Sequence, residues 1–334
     1  MSKKPELDGD ELGPFGLKPW FSERVWGRRD LRPWYEETGT TELVGEAWLT
    51  GPECEVMTGP LVGRPLGLVA EEFGEELLGV AGGGEFPLLV KILFPNEKLS
   101  VQVHPDDAQA QAMGQPRGKT ECWYVLEAKP GATVALGLKP GATAVGIEAA
   151  IADGTLEQML EQVAVQPGDM MFVDAGTVHA IGPGVVLLET QQTSDTTFRL
   201  FDYGRPRELH VQQGLAVTKF KTRAGKVAPR AMDGFVRLIE ELYFTVDRFE
   251  LEPVEEIRVR MGGPGCLVGL SGKVAVITPN QEIELLPGQA VVVPVDCPEV
   301  ILEAEDGGSL LRCFSPGVRA PGEKLDRNQN GLFG

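Results

Sequence analysis

Histidine is scarce in this chain, with only His104, His179 and His210 among 334 residues. An imidazole metal site therefore has few places to be. The five cysteines, Cys54, Cys122, Cys266, Cys297 and Cys313, are odd in number and form no CxxC pair. That argues against a thiolate zinc motif and fits reduced, mostly buried thiols. No stretch reaches the roughly 18 apolar residues of a membrane span, and the opening MSKKPELDGDELG lacks the apolar core of a signal peptide. The sequence thus predicts a cytoplasmic protein with no membrane partner. Positive charge is also short, since 31 Lys and Arg face 49 Asp and Glu for a net charge of −18. This argues against nucleic acid as a partner. A small phosphorylated substrate stays open, because it needs only a local cluster of Lys and Arg.

Glycine (42) and proline (25) are abundant and scattered between short apolar runs. That punctuation predicts a mainly β protein with many turns. Residues 1–14 read as a flexible N-terminus. Helical spacing of apolar residues marks insertions at about 65–80 and 143–163. FPLLVKILFP, KLSVQVHP and ECWYVLEA read as strands, and DDAQAQAM as a short helix capped near Asp106 or Asp107. Residues 211–222 read as a short helix or linker, and 223–234 as a linker. VQPGDMMFVDAGTVH (165–179) is echoed by LLPGQAVVVPVDCPE (285–299), with Glu299 falling where His179 stands. The echo predicts two jelly-roll β-sandwich units with a few inserted helices. The first, over 15–222, would be active; the second, over 235–334, would be degenerate and without metal.

Gln102 and His104 sit two apart on a predicted strand and so share a face. Glu121 opens the next strong strand, and His179 lies at a turn between strands. Two imidazoles, a carboxylate and an amide oxygen form a nitrogen and oxygen set suited to zinc, with manganese, iron or cobalt as alternatives. Lys91 interrupts an apolar run, so it either points into a polar cavity or snorkels at an edge. Lys119 is two before Glu121 and shares its face. Arg199 sits between apolar residues, as a cavity cation or a structural ion-pair partner, and Asp195 lies on the turn before it, where turn capping is the simpler reading. His210 reads as a structural histidine. The tryptophans read as packing, with Trp123 on the same side as Glu121.

LSVQVHPDD, GKTECWYVL, GTVHAIGPG and ETQQTSDTTFRLFDYGR, in that order, resemble the type I mannose-6-phosphate isomerases, a cupin family, in their short bacterial form. ERVWG and GEAW look like that family's N-terminal motifs. The resemblance implies a zinc site at Gln102, His104, Glu121 and His179, and active-site roles for Lys91, Lys119, Asp195 and Arg199. It implies the interconversion of mannose 6-phosphate and fructose 6-phosphate through an enediolate, with a sugar phosphate as the small-molecule partner and a monomer or homodimer as the assembly. One departure is visible. Gly118 precedes Lys119, so no role of a histidine at that place carries over. Two other readings compete: a cupin enzyme of different chemistry, such as an iron oxygenase or an isomerase of another sugar phosphate, and a cupin that binds a sugar or a metal without turnover.

Overall fold

The strand Leu88–Leu93 reads LLVKIL, and its alternate residues face different surroundings. Leu88, Val90 and Ile92 join one apolar core, while Leu93 joins another and Lys91 lines a cavity on that second side. A strand buried on both faces needs a layer on each, and the rest of the chain supplies them. The computed structural model describes residues 12–79, 84–297 and 299–316.

The first unit pairs a seven-stranded antiparallel sheet with a five-stranded one. The large sheet runs in the order Gly225–Val227, Met170–Val173, Glu121–Ala128, Val185–Gln192, Leu88–Leu93, Val44–Trp48, Trp20–Arg28. The small sheet runs Phe198–Phe201, Val101–Val103, His179–Ile181, Thr133–Leu138, Leu160–Ala164. Between them lie Trp123, Val125 and Leu187 of the large sheet against Val134, Leu136 and Ile181 of the small one. Helices Ala144–Asp153 and Val211–Val217 cover the outside of the small sheet through Ile147, Ala150 and Val217.

The second unit repeats this plan with a seven-stranded and a four-stranded sheet. Its large sheet packs against the back of the first unit's large sheet. Val90, Ile92, Cys122 and Leu188 share one core with Val246, Cys266, Val292 and Leu311, and helices Leu66–Glu72 and Gly74–Leu78 add Val69, Phe73 and Leu77 to it. The molecule is mainly β, with two jelly-roll units and few helices, as expected.

Local chemistry shifts several boundaries. The predicted helical stretch 143–163 ends early, because Gly154 takes a left-handed C-cap (φ 79) after Asp153. Residues Leu160–Ala164 then form an edge strand instead. Residues 1–11 lie outside the described residues. Leu12, within the stretch read as flexible, is buried, and Pro14 O accepts from Gln281 Nε2 at 2.6 Å. Phe15–Leu17, assigned by sequence to the first unit, pairs with Ala290–Val293 of the second, whose edge it closes. Within 223–234, Gly225–Val227 edges the first large sheet and Arg230–Ala231 the second.

The register makes the repeat concrete. Val173 lies opposite Glu121, and its counterpart Val293 lies opposite Gly265. One step on, Trp123 faces Glu189, which faces Lys91; in the second unit Leu267 faces Arg312, which faces Asp247. The second unit therefore keeps a buried ion pair at the same place with its polarity reversed, and has a glycine in place of Glu121. Asp247 is fully buried and takes Arg237 Nε at 2.8 Å and Arg312 Nη2 at 2.5 Å. Removing one member leaves buried charges unmatched. Asp247→Ala is expected to destabilise the protein by about 3–5 kcal/mol, read as a lower midpoint in urea unfolding; an unchanged midpoint would show that the two arginines are satisfied without it.

Candidate active site

Three neighbouring strands of the small sheet place His179, Gln102 and Arg199 side by side, since His179 and Arg199 both lie in register with Gln102. His104 follows two residues after Gln102 on the same face. Across the barrel, Glu121 opens the strand Glu121–Ala128 of the large sheet. The ligand atoms of His104, Glu121 and His179 lie within 4.8 Å of one another, and all three residues are buried. Glu121 Oε1 is 3.4 Å from His179 Nε2, and Glu121 Oε2 is 3.6 Å from His104 Nε2.

The donor set is prepared for a cation. His104 Nδ1 lies 2.9 Å from the Thr196 carbonyl and His179 Nδ1 lies 2.9 Å from the Thr177 carbonyl. A carbonyl only accepts, so each Nδ1 carries the hydrogen and each Nε2 turns a lone pair to the centre. Burial lowers the pKa of His104 well below its ordinary value, with the Lys119 charge adding to it, and brings that of His179 to about 4. Both rings are neutral at pH 7, as metal ligands must be. The Gln102 amide lies 3.5 Å from His104 Nε2 and 3.3 Å from His179 Nε2, and half a turn about its last bond presents its oxygen there. Glu121 Oε1 is buried with no hydrogen-bond partner. Burial, with Glu189 adding to it, pushes the Glu121 carboxyl up in pKa against the pull of Lys119. A divalent cation fits what these atoms lack. The Lys119 ammonium supplies part of that charge by bonding to Glu121 and lying 3.2 Å from His104 Nε2.

Beside the donors lies a cavity of about 450 Å³ lined by Gln102, Lys119, Glu121, Asp195, Arg199 and Lys91, among others. All four residues singled out for catalysis therefore border one space. Lys91 points inward and not to an edge: it is 3% exposed, 3.2 Å from Glu189 Oε2 and 5.3 Å over the Trp48 ring. Burial opposes the charge on Lys119, but Glu121 and Glu189 outweigh it and raise its pKa. Asp195 is exposed on its turn and close enough to contribute to the field at Lys119. Arg199 Nη1 donates to Glu208 O at 2.7 Å. His210 is structural, as expected, its Nδ1 accepting from Arg199 N at 3.2 Å. Trp123 shares the Glu121 face, meeting His179 edge-on at 5.5 Å. A larger cavity of about 880 Å³ lies between residues 12–15 and the second unit; Arg258, Asp296, Cys297 and Glu299 are in its lining, but among the described residues no metal-donor group of the His104, Glu121 and His179 kind forms there.

The sequence reading missed Glu189 and Glu46, and counted Arg207 among the basic residues near the motifs without giving it a role. Glu189 accepts from Trp123 Nε1 at 3.2 Å and binds both lysines, and burial notwithstanding, Lys119 and Lys91 hold it anionic. An acid inside the apolar run VVLLE carries the same signal as Lys91 inside LLVKIL. Gly118 also has a structural reason. A side chain there would meet Asp106 C at 2.5 Å and Pro105 O at 2.6 Å. That close approach carries the Lys119 N to Pro105 O bond (3.0 Å) and sets Lys119 beside His104.

The family model for the phosphomannose isomerase type I catalytic domain matches residues 15–142. The mannose-6-phosphate isomerase of Streptococcus mutans is 33% identical over 295 residues, covering 84% of this chain and 92% of that protein. This chain belongs to the type I phosphomannose isomerase family. A probable mannose-6-phosphate isomerase of Bacillus subtilis is 32% identical over 310 residues, covering 87% and 96%. The crystal structure of mannose 6-phosphate isomerase from Bacillus subtilis superposes with a TM-score of 0.81 at 28% identity, covering 90% of this chain and 99% of that one. No helix among the described residues is long and apolar enough to cross a membrane.

His104→Ala and His179→Ala are each expected to reduce bound metal from about one ion per chain to near none. Elemental analysis of the purified variants reads this directly, and full occupancy in both would refute the donor set.

Proposed function

We propose that this protein interconverts mannose 6-phosphate and fructose 6-phosphate by proton transfer through an enediol(ate), with zinc as its metal. What carries the reading is the convergence of two neutral imidazoles and a buried carboxylate beside a cavity that Glu121, Gln102, buried lysines and arginines line. The family relatives named above supply the substrate class.

Gln102, His104, Glu121 and His179 would hold the ion. A set of nitrogen and oxygen donors without thiolate suits zinc, and manganese, iron or cobalt could take the same atoms. Bound there, the metal supplies Lewis acidity toward the sugar oxygens. The chain's own residues do the remaining work. In the forward direction a proton leaves C2 of the open-chain aldose and one arrives at C1, while a hydroxyl hydrogen leaves O2 and one is gained at O1. Asp195, the carboxylate exposed at the cavity, takes the carbon-bound proton and returns it to the neighbouring carbon. Lys119 donates to the oxygen on which negative charge develops, and its partners Glu121 and Glu189 fix the ammonium before substrate arrives. Lys91 holds Glu189 in turn. Arg199 adds positive charge on the same wall as Gln102.

Turnover of mannose 6-phosphate is expected to vanish on chelation and to return with zinc. Activity that persists in metal-free protein would sink the metal assignment. Arg199→Ala is expected to lower kcat/KM by about 100-fold or more with metal content unchanged. Near-normal turnover in that variant would remove Arg199 from the chemistry.

A further inference from the structure

Strand Phe198–Phe201 leaves the cavity through the turn Asp202–Tyr203–Gly204–Arg205. Tyr203 (φ 55) and Gly204 (φ 81) are both left-handed, and Arg205 N donates to Asp202 O at 3.0 Å. A left-handed tyrosine is strained and persists where its surroundings over-determine it. Those surroundings centre on the Asp202 carboxylate, 2% exposed. Arg205 reaches Asp202 Oδ1 through Nε (3.0 Å) and Nη2 (2.7 Å), and also donates to Lys98 O at 2.8 Å. That last bond ties the turn to the segment leading into Ser100 and Gln102. Arg207 takes the same carboxylate in a fork, Nε to Oδ2 at 2.6 Å and Nη2 to Oδ1 at 2.7 Å.

The fork occupies only one edge of Arg207. Its Nη1 has no partner among the described residues, and the side chain lines the cavity that Arg199, Gln102 and Glu121 also line. Arg205 and Arg207 therefore share one buried carboxylate, with Glu97 3.8 Å from Arg205 and Arg199 near enough to feel Arg207, Asp202 and Glu208. The proximity of Arg207, after burial, is the main influence lowering the Arg199 pKa. Arg199 is in register with Gln102 and so belongs to the reacting end. Arg207 lies past the turn and lines the same space, close enough to Arg199 to act on its charge. A hexose 6-phosphate carries its dianion away from its reacting carbons, so its partner is a cavity cation outside the metal-donor set.

Resting on the isomerase reading above, we infer that Arg207 binds the phosphate of the substrate and that Asp202 is the positioning residue that presents it. A guanidinium held on one edge meets phosphate with its other edge already aimed, so little side-chain freedom is lost on binding. The strained turn keeps the clamp at a fixed distance from the strand that carries Arg199.

Arg207→Ala is expected to raise KM for mannose 6-phosphate, and to weaken competitive inhibition by inorganic phosphate, each by about 10- to 100-fold, with a much smaller change in kcat. Arg207→Lys should recover part of both losses. Asp202→Asn, of equal size but without the charge, should move KM and phosphate inhibition in the same direction; should it fail to fold, the Arg207 variants carry the test with Asp202 and Arg205 intact. Calorimetric titration of inorganic phosphate onto the metal-loaded protein reads the site without turnover. Phosphate binding that weakens in Arg207→Ala supports the assignment even in a protein found not to isomerise, a result that would condemn only the isomerase reading. Unchanged KM and phosphate affinity in Arg207→Ala, a fall in kcat alone, or no phosphate binding by the native protein would each overturn it.

Discussion

A row of alternating charges crosses the large sheet of the first unit, and the active site depends on it. Arg24, Glu46, Lys91, Glu189, Lys119 and Glu121 follow one another across neighbouring strands, each within 4.0 Å of the next. Alone, any of the inner members would cost several kcal/mol to bury, and it would shift its pKa and lose its charge instead. In a row, every inner ion has an opposite charge on each side. The pleat makes this feasible, because alternate residues of adjacent strands share a face and come within reach of one another. The row also does something that single salt bridges do not. It delivers two ammonium groups into a cavity in fixed positions, with Trp123 and Trp48 packed against their partners, so little reorganisation is needed when charge develops on a substrate.

The other face of that sheet is apolar and shares a core with the second unit. The arrangement gives a structural role to a second jelly roll in which no metal-donor cluster occurs among the described residues. The large sheet of the first unit spends one face on chemistry, and the second unit buries the other. Its own interior is filled with residues such as Val276, Leu285 and Leu302, and where the first unit has Lys91 and Glu189 it has Asp247 and Arg312. The reversed pair suits a closed barrel. Two arginines satisfy one aspartate, and Arg312 packs among Phe235, Phe249 and Phe314, so the charge is consumed internally. In the first unit the lysines keep a side open to the cavity.

Much of this could be read from the sequence, for identifiable reasons. Strand alternation puts Gln102 and His104 on one face and Lys119 with Glu121 on another, and period-2 geometry leaves little freedom. The PG-strand echo at 165–179 and 285–299 is real in the sheet registers. What stayed hidden depends on contacts between distant segments. Glu189 looks like one more strand residue until the register sets it opposite both Lys91 and Trp123. Phe15–Leu17 carries no mark that it closes the edge of a sheet built from residues 230–314. TLEQMLEQV has helical spacing, yet Leu160–Ala164 is a strand because it pairs with Thr133–Leu138, and that pairing overrides local propensity. Arg207 is one basic residue among several in FDYGRPRE; only the Asp202 fork gives it a direction.

Charge balance within the cavity resolves how a chain of net charge −18 can receive a dianion. The lining holds five cationic side chains, Arg24, Lys91, Lys119, Arg199 and Arg207, and five carboxylates, Glu23, Glu46, Glu121, Glu189 and Asp195. The protein's own contribution is therefore formally neutral, and the negative excess lies elsewhere, where water and salt screen it over about 10 Å. A divalent ion on the donor set would leave the cavity with two positive charges, which is the complement of a phosphate dianion. Neutrality of the lining has a further consequence. Cations alone could attract a sugar phosphate without any metal, but they would repel the metal from its donors. Pairing each lysine with a glutamate removes that repulsion while keeping the ammonium groups in place. The same alternating row that makes the lysines affordable to bury thus also lets a metal cation and an anionic substrate occupy one cavity together.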